Sequence, residues 1–140
     1  VTVPLRMNKQ SKNASRIATA LAQHAAVKEL HYPSLFKDPE QQRIRDKQCD
    51  YPGAIITLDL KGGRPAAFTF LRSLQIARNA VSLGGVESLA CHPRTTTHSE
   101  LSTEQLDRAG IGEGMVRLSV GIESWHDLLA DAKAALDALL

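Results

Sequence analysis

The apolar positions of this chain switch between a helical and a strand period, and the switches lay out its elements. Over residues 5–25, Ala14, Ile17, Ala18, Leu21 and Ala25 recur at helical spacing with no Gly or Pro between them, which predicts a long helix. Arg6, Lys9, Lys12, Asn13 and Arg16 are assigned to its other face, read as a solvated basic surface in preference to a phosphate site. Residues 27–32 alternate and stop at Pro33, predicting a short half-buried strand with His31 outward or at an edge. Asp38-Pro39-Glu40 has the form of a helix start, with Asp38 as N-cap and Pro39 in the first position, leading an exposed polar helix to about Gln48.

Residues 54–60, rich in β-branched and apolar side chains, predict the central strand, ended by Gly62-Gly63. A helix is expected over 65–76, with Phe68, Leu71 and Gln75 on one face and Leu74 beside it. After a turn at Gly84-Gly85, a strand over 86–91 stops at His92-Pro93. Ser102 and Gln105 form a capping box for a short helix that ends at Gly110. Residues 116–120 alternate as a strand closed by Gly121, and Ser124-Trp125-His126-Asp127 is expected to cap a last helix. Leu128, Leu129, Ala132, Ala135, Leu136 and Leu139 give that helix an apolar stripe, too short for a coiled-coil seam. Interleaved helices and strands predict an α/β fold, an α+β two-layer sandwich in which about four strands are covered by helices on one face.

Composition narrows the class. A length of 140 residues and 43% hydrophobic content suit one globular domain spanning 1–140. The net charge of +2 comes from scattered basic residues, without the stripe that nucleic acid requires. There is no run of about 18 apolar residues and no signal-like start, so no membrane partner is expected. Cys49 and Cys91 lie far apart and outside any C-x-x-C spacing, which suits the cytoplasm and gives no metal set. The chain opens on Val1 without an initiator methionine, and a piece of a longer protein is expected.

Few residues carry chemistry by themselves. Arg117 stands among apolar residues on a strand, beside Ser119; it is either a paired structural residue or a carboxylate clamp, because its planar fork matches two carboxylate oxygens. Ser82, Ser88, Ser99 and Ser119 lack a G-x-S-x-G elbow, and Gly84-Gly85 lacks the spacing of a phosphate loop. His92 and His98, with no acidic residue between them, read as neutral loop histidines.

Taken together, Ser82-Leu83-Gly84-Gly85-Val86-Glu87-Ser88-Leu89, His92-Pro93, Thr97-His98-Ser99, Ala109-Gly110-Ile111 and Val116-Arg117-Leu118-Ser119-Val120-Gly121-Ile122-Glu123 closely resemble the C-terminal part of the Cys/Met-metabolism family of pyridoxal-phosphate enzymes. That family includes cystathionine γ-synthase, cystathionine γ-lyase, methionine γ-lyase and the homoserine-ester sulfhydrylases. Pro4-Leu5-Arg6-Met7 and residues 27–33 extend the resemblance over essentially the whole chain. It implies the small C-terminal domain of a fold-type I enzyme of sulfur amino-acid metabolism, acting by elimination or replacement and assembled as a homotetramer.

The resemblance assigns Arg117 to the substrate α-carboxylate, Ser82 to its neighbourhood, Thr97 to the support of that arm, and Val81 to a reaction-specificity position, where an apolar residue looks more like methionine γ-lyase. No lysine here sits in the family's Ser-x-Thr-Lys context, so the pyridoxal phosphate and the catalytic residues are expected on an absent large domain and this piece is expected to be inactive alone. Cys49-Asp50-Tyr51-Pro52, in place of a glycine-rich turn, and Thr96 depart from the pattern. A free-standing regulatory or pseudo-enzyme domain, or an unrelated carboxylate-binding module, is the alternative.

Overall fold

The computed structural model describes residues 1–140. Helix α1 (Val3–Leu21) leads into β1 (Val27–His31), α2 (Pro39–Gln48), β2 (Ile55–Leu60) and α3 (Gly63–Ser73). β3 (Arg78–Asn79), β4 (Leu89–Cys91), α4 (Thr103–Arg108), β5 (Met115–Ser119) and α5 (Trp125–Asp137) complete the chain. The five strands form one sheet in the order β1-β2-β5-β4-β3, antiparallel except for the parallel pair β3–β4. One strand more is present than the expected four. The fifth, Arg78–Asn79, is too short for a period and exists through its pairing with Leu89 and Ala90.

Alternation puts Ile56, Leu58, Leu60, Val116 and Leu118 on one face, all buried. Against them pack Ala14, Ile17, Ala18 and Leu21 of α1, Ala67, Phe70 and Leu71 of α3, and Leu128, Ala132, Ala135 and Leu136 of α5. Fully burying one such Leu or Phe contributes about 1.5–3 kcal/mol, so this layer dominates the stability. No helix is long and apolar enough to cross a membrane.

The local signals explain most boundaries. Asp38 caps α2 by accepting from the Gln41 amide at 2.9 Å, and Ser102 and Gln105 complete the capping box of α4. Gly62 takes φ +95°, a conformation other residues resist, and so turns the end of β2 directly into α3. Ser124 occupies the N-cap of α5, but its hydroxyl makes no capping bond.

Four expectations, three about faces and one about the extent of a strand, are corrected. Asn13 is fully buried because it lies one residue before Ala14 on the inward side of α1, while Ala25 is past the helix and exposed. Gln75 is also past its helix and exposed, and the buried face of α3 is Ala67, Phe70 and Leu71. The strand expected over 86–91 is regular only from Leu89, since Gly84 bonds instead to Ser119 at the end of β5, and Val86 and Ser88 bond to the chain just after it.

Candidate functional site

The other face of the sheet carries no helix of the main layer. Arg117 projects there from the central strand, directly between Thr57 of β2 and Cys91 of β4 in the register. Crossing near it is the segment 79–88. Arg117 Nη2 donates to the carbonyls of Val81, at 2.7 Å, and Ser82, at 3.3 Å. No carboxylate of this chain pairs with Arg117, which is also true of Arg6, Arg16, Arg72 and Arg78, while Arg43, Arg45, Arg64, Arg94 and Arg108 have acidic partners. Arg117 is set apart from those four by its place in the middle of the sheet and its bonds to two backbone carbonyls. Its guanidinium therefore keeps donors for an anion from elsewhere.

The segment is held from several sides. The Ser119 hydroxyl accepts from the Gly84 amide at 3.0 Å, and the Val86 carbonyl accepts from the Ile122 amide at 2.9 Å. The Glu123 carboxylate accepts from the Ser88 amide at 2.7 Å and the Ser88 hydroxyl at 2.8 Å, while Ser88 Oγ accepts from the Gly121 amide at 2.8 Å. The approach is so close that a Cβ on Gly121 would lie 2.3 Å from the Val86 carbonyl oxygen, which only glycine permits. Upstream, Asp131 of α5 accepts from the amides of Gln75, Ile76 and Ala77 and fixes the chain entering β3.

From α1, Gln10 Nε2 donates to the carbonyls of Gly85, at 2.8 Å, and Val120, at 2.9 Å. Asn13 Nδ2 donates to those of Gly121, at 3.1 Å, and Glu123, at 2.8 Å. None of Gln10, Asn13, Ser88, Glu123 and Asp131 stood out in the sequence as a site residue. A signal existed for three of them: Gln10 and Asn13 continue the Ala14–Ile17–Ala18–Leu21 spacing, and Asp131 lies within the stripe of α5.

Arg117, Val81 and Ser82 thus meet, through backbone carbonyls in the case of Val81 and Ser82. Both residues are exposed. Thr97 lies apart in the turn after Pro93–Thr95, where its hydroxyl is 2.8 Å from His98 Nδ1 and shares no hydrogen bond with the other three. That turn is anchored by His92, buried against Phe68, with Nδ1 2.8 Å from the Thr95 hydroxyl and Nε2 2.7 Å from the Glu113 carbonyl. Buried Arg94 bonds to Asp107, Glu113 and the Ile111 carbonyl and ties α4 to the same turn. The Arg64 guanidinium, hydrogen-bonded to Glu113, holds that carboxyl below its ordinary range.

The donor set suits the carboxylate end of a ligand and no more. Lysines stand at 9, 12, 28, 37, 47, 61 and 133, none of them on β4, β5 or the 79–88 segment. Val81 and Ser82 turn carbonyls toward Arg117, and the segment leads into strand β4 where a phosphate cradle would lead into a helix. These residues do not form a site for a pyridine ring and its phosphate.

Comparison with known proteins matches the chain to part of larger enzymes. The chain superposes on cystathionine gamma synthase from Xanthomonas oryzae pv. oryzae, solved with aminoacrylate and cysteine, with a TM-score of 0.92 and 39% identity over 99% of this chain and 36% of that one. The fold is therefore that of a portion of the fold-type I pyridoxal-phosphate enzymes. The profile of the Cys/Met metabolism PLP-dependent enzymes matches residues 1–137, and the chain belongs to this family. L-methionine gamma-lyase of Pseudomonas deceptionensis is 44% identical over 99% of this chain. O-acetyl-L-homoserine sulfhydrylase of Corynebacterium glutamicum is 35% identical over the same share. The chain spans about a third of the length of these curated relatives, 34% and 32% respectively.

Proposed function

We propose that this chain is the C-terminal small domain of a pyridoxal-phosphate enzyme that performs elimination or replacement on a sulfur amino acid or homoserine ester, and that it supplies the substrate α-carboxylate site. The observation that carries this reading is Arg117: central in the sheet, on the face without covering helices, anchored through one nitrogen and without an acidic partner. A guanidinium so held presents further N–H groups to a planar carboxylate, and a two-point contact fixes the orientation of the amino acid as well as binding it. Ser82 borders that contact, Val81 offers an apolar side chain beside it, and Thr97 supports the neighbouring turn.

The cofactor's holding lysine is assigned to residues outside this chain, so the chain by itself binds and orients without turning over substrate. A cytoplasmic homotetramer is part of the same reading; the free cysteines Cys49 and Cys91 fit a reducing compartment.

Arg117→Ala in the full-length protein tests the role. Loss of a charged, two-point contact predicts a rise in KM for the amino acid of about 10–100-fold, with the Schiff-base absorbance retained. Unchanged kinetics overturn the assignment.

A further inference from the structure

Gln10 is fully buried on α1, its two amide hydrogens go to the Gly85 and Val120 carbonyls, and its Oε1 is left with no partner. Asn13, one turn on, repeats the pattern with the Gly121 and Glu123 carbonyls and a bare Oδ1. A buried oxygen without a hydrogen bond is a net cost, and an apolar side chain at either position would avoid it. The two amides are poor choices for packing and good ones for holding four carbonyls at set positions.

One of those carbonyls belongs to Gly85, three residues after Ser82. Gly84, between them, is held from the opposite side by Ser119 Oγ, two residues from Arg117 on the same strand and face. The segment that receives Arg117 Nη2 is therefore clamped just past the point of contact, by α1 on one side and β5 on the other. We propose that Gln10 and Ser119 are positioning residues of the carboxylate site: they fix the backbone over 81–85 so that the Val81 and Ser82 carbonyls orient the guanidinium. This rests on the clamp reading of Arg117 and adds the residues that set its geometry. Neither side chain touches the substrate.

The test uses Gln10→Met, which keeps the length and removes both donors, and Ser119→Ala, which removes the acceptor for Gly84, each in the full-length protein beside Arg117→Ala. Both positioning variants are expected to raise KM for the amino acid about three- to tenfold, with kcat within about twofold and the cofactor absorbance unchanged. A purely structural role would lower the melting temperature and leave KM unmoved at temperatures well below it. Unchanged KM in both, with KM raised in Arg117→Ala, overturns the positioning proposal and leaves the clamp standing. Unchanged KM in Arg117→Ala overturns the clamp itself. Should Gln10→Met fail to fold, Ser119→Ala decides the question by the same split.

Discussion

The two faces of β5 obey different rules. Val116 and Leu118 face the helices and are held by non-directional contact with many apolar neighbours, so no single atom is decisive. Arg117 and Ser119 face the other way and are held by a few hydrogen bonds, each to a named carbonyl or amide. One face carries the free energy of folding; the other spends little of it and fixes positions.

Substitutions can break or sharpen that contrast. Leu58→Ala, in the fully buried layer, is expected to cost about 2–5 kcal/mol in urea unfolding of the chain. Arg117→Ala is expected to cost no more than about 1 kcal/mol in the same measurement, since it removes only bonds to carbonyls that water can reach. Equal losses would mean that the open face also holds the fold.

Tyr32 tests the boundary between packing and polar contact. Its ring is buried and its hydroxyl donates to the Gly53 carbonyl at 2.8 Å and the Ser11 carbonyl at 3.3 Å. Burial pushes the phenol up to about 12, so the folded state favours the neutral form. That contribution is complete below the ordinary value of 10 and is lost as pH rises through about 12. Tyr32→Phe is expected to cost about 1–2 kcal/mol at neutral pH and to flatten the alkaline decline measured by denaturant titration across that window.

The smallest effect is expected at the exposed Arg64–Glu113 pair. Because Arg64 lowers the Glu113 carboxyl, whatever the pair contributes is present above the ordinary value of 4.5 and lost as pH falls below it. Glu113→Gln should therefore lower the melting temperature slightly at pH 7 and not at pH 3. A difference that persists in acid would assign the effect to the hydrogen bonds around Arg94.

The apolar face was the more legible of the two in the sequence. The stripe of α5, the β-branched and apolar run of β2 and the caps at Asp38 and Ser102 are local signals, and local physics produces the elements they announce. Asn13 was assigned outward because it is polar, although its spacing put it inward; position outweighed residue type. Strand β3 was invisible, because two residues have no period and only distant pairing makes them a strand. On the open face, chemistry alone left Arg117 undecided, and family resemblance drew attention to it together with Val81 and Ser82. Neither route gave a role to Gln10, Ser88 or Glu123, whose hydrogen bonds join stretches remote from one another in sequence.

The strand order has a consequence for how the chain is made. β5 is the last strand in sequence and the middle one in the sheet, lying between β2 and β4. Until it emerges from the ribosome, β1–β2 and β3–β4 have no shared ladder, and the polypeptide waits as two unjoined halves with exposed strand edges. Insertion of β5 joins the halves, delivers Arg117 and lets Gln10 reach Val120 across 110 positions of chain. Such long-range closure is slow. The proposed carboxylate site is thus assembled only once β5 has joined the two halves, and a nascent chain that has not completed its sheet has no such site to expose.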